Sequence, residues 1–398
     1  MREVYLDNNA TTMIDPLVLE KMLPYLKENY ANPSSMYNPA RITANAIEEA
    51  RKQIADFLGV NLVDSKMILF TSCATESANT AIKGILKQYS TKENNHIITT
   101  QIEHPCVLST YEHLEKNGWE TTYICVNENG EINIENLLSK ITPRTVLLSV
   151  MHANNETGAI YPIYDIAREA KKINPNIKVF VDGVQAAGKI PIKLENTEVD
   201  FYSISGHKFH APKGVGALYV KSGNLFEPLI LGGHQENSLR AGTQNTPYIV
   251  GMGEAARLAQ DRLDYELKEV KRLRDKLENG ILSALKNAKL NSKSKNRVPN
   301  TTNIGFEYIE GELILLYLND LGIYASSGSA CTSGSLDPSH VLRAQKVPFT
   351  SLHGSIRFSL SRFTTEDEID YAIEEIPKII KKLAKISPFQ KELNELGV

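Results

Sequence analysis

The chain has little excess of either charge, few cysteines and no long apolar run. Among 398 residues, 44 are Lys or Arg and 47 are Asp or Glu, a net charge of −3. Without an overall positive field to hold a polyanion, bulk nucleic-acid binding is disfavoured. No apolar run reaches the roughly 18 residues that span a bilayer, and the start MREVYLDNNATT lacks a signal-peptide core. These absences predict a cytoplasmic protein without nucleic-acid or membrane partners.

The four cysteines are too few and too scattered for a disulfide framework, and no C-x-x-C pair indicates zinc. We expect Cys73, Cys106 and Cys125, in or beside predicted core elements, to be packing residues. Cys331 differs, because it lies in SSGSACTSGS (Ser326 to Ser335), a small, hydroxylated tract that predicts a mobile loop. A thiol in such a loop is open to oxidation, which favours a functional role over packing.

The first two thirds of the chain alternate between short apolar runs and helical patterns. This alternation predicts an α/β domain with a mostly parallel central sheet and helices on both faces. Ligands bind such sheets at the carboxyl ends of the strands. The predicted strands are Met67 to Thr71, His96 to Thr100, Thr145 to Met151, Lys178 to Val181 and Phe201 to Ile204, and Ile163 to Ile173 has a helical period.

The last third predicts a smaller α+β domain. Residues Pro247 to Lys289 predict one or two long helices, and Asn291 to Asn300 a polar surface loop. Asp15-Pro16 and Asn38-Pro39 each predict an N-cap followed by proline at the first helical position, and Gly59 closes the second helix. The remaining predictions are strands at Thr302 to Phe306 and Ser355 to Leu360 and helices from about Gly311 and from Glu366.

A lysine follows one predicted strand in SISGHKFHAPKG, Ser203 to Gly214. Lys208 is a candidate for covalent attachment to a carbonyl cofactor; the alternative is an ordinary surface lysine. Ser205 and His207 beside it are groups that bind phosphate, which favours the first interpretation.

Two further strand ends supply partners for the same cofactor. Asp182 and Gln185 follow the strand in VFVDGVQAAG, where Asp182 either caps a helix or pairs with the pyridine nitrogen of pyridoxal phosphate. Ala74 and Thr75 begin a helix in FTSCATES, where free N–H groups and the helix dipole favour a phosphate. In combination with Lys208, these residues predict a pyridoxal-phosphate site, and the combination is more specific than any one residue alone.

Three more residues are candidates for this site, although His104 and Asn155, taken singly, are more often structural. His104 in EHP is either structural or lies against the cofactor ring. Asn155 in HANNETG is either structural or bonds the ring oxygen or a substrate carboxylate. Arg357 in GSIRFSLSRF has the planar guanidinium that suits a carboxylate.

The ordered motifs resemble the NifS/IscS-type cysteine desulfurases, the group with the long cysteine loop among class-V aminotransferases of pyridoxal-phosphate fold type I. The resemblance implies a large cofactor domain over residues 15–256. It also implies a small domain of residues 1–14 and 257–398 with the cysteine loop at about 326–338. The motifs are YLDNNATT, NPSS, FTSCATES, EHP, HANNETG, VDGVQAAGKIP, SGHKFHAPKG, GGHQENSLRAGTQN, SSGSACTSG and IRFSLSRF.

The resemblance implies a role for each candidate residue in cofactor binding. Lys208 becomes the Schiff-base lysine, Asp182 the partner of the ring nitrogen and Gln185 a ligand of the ring hydroxyl. His104 would stack on the ring and carry protons. The resemblance also implies that Asn155 contacts both the cofactor and the substrate. The phosphate would be held by Ala74, Thr75, Ser205 and His207, and by Thr243 of a second subunit in a homodimer.

The same resemblance implies that L-cysteine is the substrate, oriented by Asn155 and Arg357. Lys208 would remove the α-proton and Cys331 would take the sulfur as a persulfide, leaving alanine. A scaffold protein of the NifU/IscU type would accept the sulfur for iron–sulfur cluster assembly, and contact between Cys331 and a scaffold-bound cluster is the only metal role implied. The alternatives are another enzyme of this fold, such as a selenocysteine lyase or transaminase, and a non-catalytic scaffold partner.

Four positions depart from the family pattern. Cys73 and Ser238 stand where relatives usually have Gly, and Tyr37 and Ala40 where they often have His and Gly. None is a candidate catalytic residue. We expect Cys73 to be a packing residue and the local backbone to be affected at these positions.

Overall fold

The structure is a computed structural model that describes residues 2–61, 67–91, 93–327 and 338–397. Cys331 and most of its predicted loop therefore lie outside the described residues. In the described ranges the strands are β1 (Val4–Tyr5), β2 (Ile68–Thr71), β3 (His96–Thr100), β4 (Glu120–Ile124), β5 (Thr145–Met151), β6 (Lys178–Asp182), β7 (Phe201–Ser205), β8 (Gly216–Val220), β9 (Ala288–Leu290), β10 (Thr301–Phe306), β11 (Ile323–Tyr324), β12 (Ser326–Ser327) and β13 (Ser355–Ser359).

Helices cover the sheets and connect their strands. They are α1 (Pro16–Lys27), α2 (Asn38–Phe57), α3 (Ala74–Tyr89), α4 (Pro105–Glu115), α5 (Ile134–Leu138), α6 (Ile163–Ile173), α7 (Thr246–Asp261), α8 (Leu263–Tyr265), α9 (Lys271–Ala284), α10 (Gly311–Asp320), α11 (His340–Ala344), α12 (Phe349–Leu352), α13 (Glu366–Ala384) and α14 (Gln390–Leu396). Gly206–Lys208 and Gln235–Ser238 form 3-10 turns, and Glu266–Val270 forms a π-turn. None of these helices is long and apolar enough to cross a membrane.

The large sheet has the order β2-β8-β7-β6-β5-β3-β4. Strands β4, β3, β5, β6 and β7 run parallel, and β8 is antiparallel to both of its neighbours. All seven residues of β5 are buried, as expected of a strand covered on both faces. The predicted mostly parallel sheet is confirmed, and its parallel strands place their carboxyl ends at one edge.

The small sheet has the order β12-β13-β10-β9, and each pair is antiparallel. Strand β1 pairs in parallel with β11. Val4 and Leu6 pack in one core with Phe306, Phe358 and Ile376. The N-terminal residues therefore share a core with the C-terminal third of the chain.

Two sequence predictions about local structure are wrong. Helix α2 begins at Asn38 with Tyr37 as its N-cap, so Pro39 is the second helical residue. Proline is tolerated there because the first N–H groups of a helix have no intrahelical partner. The segment Asn291 to Asn300, predicted as a surface loop, is exposed only in part, at Lys293, Lys295 and Asn296. Asn291 and Asn300 at its ends are buried, their amides bonded to Asn303 and Ser355 and to Asn9 and Leu360 respectively.

The predicted cap of α1 is confirmed and joins distant parts of the chain. Asp15 Oδ1 accepts from Leu17 N at 3.0 Å. Its Oδ2 accepts from Arg362 Nη2 at 2.7 Å and from Arg262 Nη1 at 3.3 Å. Burial opposes ionisation of Asp15, but these hydrogen bonds and the two arginine charges outweigh it and lower its pKa. Asp15 therefore ties helix α1 to the segment after β13.

We expect Asp15→Ala to lower the free energy of unfolding by about 3 kcal/mol at pH 7, since it leaves Arg362 buried without its acid. Because folding lowers the pKa of Asp15, its contribution is present above the unfolded pKa of about 3.9 and is lost as the pH falls through the folded pKa. Urea unfolding at pH 7 and pH 3 measures both effects. Asp264→Ala, at an exposed side chain 3.7 Å from Lys268, is the control. Equal losses for both variants at pH 7 would contradict this assignment.

Candidate active site

A cavity of ≈ 320 Å³ lies at the carboxyl edge of the parallel strands. Its volume is within the roughly 300–1,000 Å³ typical of small-molecule sites. Among the described residues, every candidate site residue except Thr243 lines it. These are Ala74, Thr75, His104, Asn155, Asp182, Gln185, Ser205, His207, Lys208 and Arg357.

Successive strand ends deliver these residues. Asp182 ends β6, Ser205 ends β7 and Lys208 ends the 3-10 turn that follows. His104 is the N-cap of α4, after β3, and Asn155 follows β5. Since these four strands are parallel, side chains far apart in sequence meet at one edge.

Asp182 brings a buried acid to the cavity. Its Oδ1 accepts from Val184 N at 3.0 Å. Burial raises its pKa to about 6, against the Val184 hydrogen bond and the Lys208 charge. Gly183 permits this turn, since a Cβ there would lie 1.9 Å from Tyr202 Cε1. A buried acid of this kind suits a protonated ring nitrogen, whose positive charge would stabilise the carboxylate.

Lys208 lies between the cavity and the N-terminal segment. Its Nζ donates to Asn9 O at 2.6 Å and to Ala10 O at 2.8 Å. Both acceptors are backbone carbonyls, so no side-chain pattern in the sequence could reveal them. The motif YLDNNATT was the only sequence feature that pointed to this N-terminal segment. These contacts hold the amine at the cavity wall, where a covalent cofactor link requires it.

The first turn of α3 and His207 form an environment suited to an anion. Ala74 and Thr75 are the first residues of α3, whose leading N–H groups have no intrahelical acceptor. Burial, with Lys208, Lys213 and Lys189, lowers the pKa of His207 to about 4. Three lysine charges near a neutral imidazole suit a phosphate group. The donors present therefore fit the phosphate of pyridoxal phosphate.

His104 presents a neutral ring to the cavity. Its Nδ1 accepts from Cys106 N at 3.2 Å, which places the ring proton on Nε2. Burial lowers its pKa to about 4, and the charges of Lys208 and His340 act in the same direction. A neutral imidazole can stack on an aromatic ring without adding a charge to the site.

Arg357 is held in place by two acceptors on different parts of the chain. Its Nη2 donates to Asp7 Oδ1 at 2.7 Å and its Nη1 to Asn155 O at 3.0 Å. Its buried Nε has no hydrogen-bond partner among the described residues. A buried guanidinium at the wall of this cavity suits a substrate carboxylate. The sequence analysis missed Asp7, which orients this guanidinium.

The positions that depart from the family pattern have different backbones. Ser238 has a φ of 65°, in the left-handed region that favours glycine, and Glu236 and Asn237 precede it with φ of 47° and 57°. Cys73 has a φ of −173°, extended backbone that any residue adopts. The expected backbone effect therefore applies at Ser238 and not at Cys73. Thr243 is exposed and lies away from the cavity.

The expectation for the cysteines was wrong at one position. Cys125 is exposed, because it follows β4, the edge strand of the large sheet. Cys106 lines the cavity, and burial raises its thiol pKa well above the usual value, with Asp182 and Glu103 adding to the effect. Cys73 also lines the cavity and is partly exposed.

The fold and this cavity define a pyridoxal-phosphate-dependent enzyme of fold type I. The family model for class-V aminotransferases matches residues 4–372. The cysteine desulfurase of Nostoc sp. is 50% identical over 392 residues, which cover 98% of this chain and 96% of the relative. The cysteine desulfurase NifS of Azotobacter vinelandii is 49% identical over 389 residues, covering 98% and 95%. A solved structure described as a NifS-like protein is 40% identical, with a TM-score of 0.90 over 96% of this chain and 100% of its own.

The chain therefore belongs to the class-V aminotransferase family and, within it, to the cysteine desulfurases of the NifS/IscS type. Enzymes of this family depend on pyridoxal phosphate. The resemblance found in the sequence motifs is confirmed. The role of each individual site residue stays a prediction.

We expect iodoacetamide to label Cys125 at least about tenfold faster than Cys106 in the folded protein at pH 7.5, because the thiolate is the reactive form. Cys125 is exposed, whereas burial raises the pKa of the Cys106 thiol. Peptide mass spectrometry over time measures the two rates. In urea the rates should become similar. Faster labelling of Cys106 than Cys125 in the folded state would contradict this difference in environment.

Proposed function

We propose that this pyridoxal-phosphate-dependent cysteine desulfurase binds its cofactor and L-cysteine in the ≈ 320 Å³ cavity and transfers the sulfur to Cys331 as a persulfide, leaving L-alanine. One observation carries this assignment: Lys208, Asp182 and Arg357 line the same cavity. An amine, a ring-nitrogen partner and a carboxylate-binding group are what amino-acid chemistry on this cofactor requires.

The described residues would hold the cofactor along its length. Lys208 would bind it covalently, Asp182 would pair with the ring nitrogen and Gln185 would donate to the ring hydroxyl. His104 would lie against the ring, and Asn155 beside it. When bound, pyridoxal phosphate supplies an electron sink for the α-carbon of the amino acid. The phosphate would lie at the first turn of α3, with Ala74, Thr75, Ser205 and His207.

Arg357 and Asn155 orient the substrate, with the guanidinium of Arg357 binding its carboxylate. The amine of Lys208 takes the α-proton, and the neutral imidazole of His104 can carry a proton. Cys331 attacks the substrate sulfur as a thiolate. A sulfur–sulfur bond forms on Cys331 and the carbon–sulfur bond breaks. The β-carbon keeps the electron pair of the broken carbon–sulfur bond and takes up a proton, so it becomes the methyl group of alanine.

Chain connectivity supports this role for Cys331. Ser326 pairs in register with Arg357. Cys331 follows Ser327 by four residues, so their Cα atoms lie within about 14 Å of each other. After the gap, Ser339 Oγ donates to Glu156 Oε2 at 2.5 Å, next in sequence to Asn155. The described residues before and after Cys331 in the sequence, Ser326 and Ser339, therefore contact residues at or next to the cavity lining.

A second copy of this chain fits a groove of ≈ 740 Å³ that includes Pro33, Ser34 and the stretch 233–237. Large apolar side chains next to it are strongly exposed: Tyr30 81%, Met36 98% and Leu231 76%. Such exposure is typical of a surface that another protein covers. A homodimer covering this surface would allow Thr243 of one subunit to reach the phosphate in the other.

Three further features complete the proposal. A scaffold protein of the NifU/IscU type accepts the sulfur for iron–sulfur cluster assembly, a role supported by relatives named NifS. The enzyme works in the cytoplasm.

The large domain spans 15–256, and the small domain spans 1–14 and 257–398, a division supported by the shared core of Val4, Leu6 and Phe306.

Cys331→Ala should abolish sulfide release from L-cysteine while cofactor binding stays intact, because the substrate sulfur loses its acceptor. Sulfide and alanine assays, with absorption spectra of the bound cofactor, measure both. Cys125→Ala, which removes an exposed thiol outside the site, should retain full activity. Sulfide release that survived Cys331→Ala would point to another enzyme of this fold, such as a selenocysteine lyase or transaminase.

Leu231→Asp should convert the dimer into monomers that bind the cofactor at least about tenfold more weakly, since it places a charge in the proposed interface. Sedimentation velocity and cofactor titration give the two readouts. Leu316→Asp is a matched control, because Leu316 is also exposed (61%) but lies on α10 of the small domain. A fully active Leu231→Asp monomer would contradict the role of Thr243.

A further inference from the structure

Lys189 is a buried lysine that the mechanism above does not use. It is 5% exposed, and lysines are almost never fully buried without a partner. Its Nζ donates to Gln185 Oε1 at 2.8 Å, four residues earlier. The preceding Gly188 has a φ of +75°, and a Cβ there would lie 2.9 Å from Phe209 Cβ. The backbone that leads to Lys189 therefore requires glycine.

Two partners fix the orientation of the Gln185 amide. Gln185 Nε2 donates to Asn9 O at 3.1 Å, and a backbone carbonyl can only accept. The amide oxygen must therefore face Lys189, whose amine donates to it. Because Gln185 also lines the cavity, its second N–H is left to donate to a ligand oxygen there. Without Lys189 the buried amide oxygen would lose this donor.

Several charged groups surround Lys189. Lys189, Lys208, His210, Glu266 and Arg362 line a small cavity of ≈ 10 Å³ behind the active site. Burial, with the charges of Lys208 and Arg357, lowers the pKa of Lys189 to about 7, and Glu266 opposes this shift. An electron-rich ligand oxygen near Gln185 would favour the charged form of Lys189.

We propose that Lys189 is a positioning residue for the cofactor: it holds the Gln185 amide so that an N–H points to the ring hydroxyl oxygen, and it places a positive charge behind that amide. This inference rests on the proposed function, because it assumes that Gln185 binds pyridoxal phosphate. It assigns to Lys189 an effect on the cofactor that passes through Gln185.

A double-mutant cycle on the full-length protein tests the coupling. Pyridoxal phosphate is titrated into cofactor-free wild type, Lys189→Met, Gln185→Ala and the double variant. We expect Lys189→Met to weaken binding about tenfold, as for the loss of a hydrogen bond to a charged group. In the Gln185→Ala background the same change should alter affinity less than about twofold. Similar losses in both backgrounds would overturn the proposal.

A spectroscopic readout separates positioning from general loss of stability. A nearby positive charge favours loss of a proton from the bound cofactor. Removing the charge of Lys189 should therefore raise the pH at which the visible absorbance of the cofactor titrates. Lys171→Met is the matched control: Lys171 is also largely buried and pairs with Asp200, outside the cavity. It should leave this titration unchanged. An unchanged titration in Lys189→Met would overturn the proposal.

Two outcomes distinguish failure of this inference from failure of the proposed function. A wild-type protein that does not bind pyridoxal phosphate would overturn both. Wild-type binding with independent effects of Lys189 and Gln185 would overturn only the inference. If Lys189→Met does not fold, Lys189→Gln removes the charge and leaves a donor, so the spectroscopic titration applies to it: the pH of the titration should rise, and an unchanged titration would overturn the proposal.

Discussion

The candidate site depends on the hydrogen bonds of the short N-terminal segment Asp7 to Thr12. The backbone oxygen of Asn9 accepts from both Lys208 and Gln185. Asp7 holds Arg357 by an ion pair. The same segment is joined to β13 by a backbone bridge between Asp7 and Ser359. One stretch of chain therefore sets the positions of Lys208, Gln185 and Arg357 relative to one another.

The distribution of charge inside the protein explains how a chain of net charge −3 can bind anionic ligands. Lys208 and Arg357 line one cavity, and Lys189 lines the small cavity behind it. Burial is the main cause of the lowered pKa of His207 and His104, and the charge of Lys208 adds to it at both rings. The phosphate and carboxylate proposed to bind there would each meet local cations. Global charge predicted only the absence of a polyanion partner, whereas ligand binding depends on charges within a few ångströms.

The sequence predicted the elements whose pattern is local. The bounds of β5 and α6 agree with their apolar run and helical period, and Asp15 caps α1 as expected. Strands β4 and β8 of the large sheet were missed. The exposure of Cys125 was missed because edge position is a property of the assembled sheet. Acceptors such as the Asn9 carbonyl could not be predicted, since every residue has a carbonyl and only the folded chain decides which one meets Lys208.

Strand β13 joins the residue proposed to bind the substrate carboxylate to the part of the chain that precedes Cys331. It carries Arg357, which pairs in register with Asn303 on one side and Ser326 on the other. The strand that carries Arg357 is thus the neighbour of β12, which precedes the segment that contains Cys331 in the sequence. A shift of β13 would move Arg357 and the start of that segment together. The paired register therefore keeps Arg357 at a fixed separation from Ser326 and Ser327, the last described residues before Cys331 in the sequence.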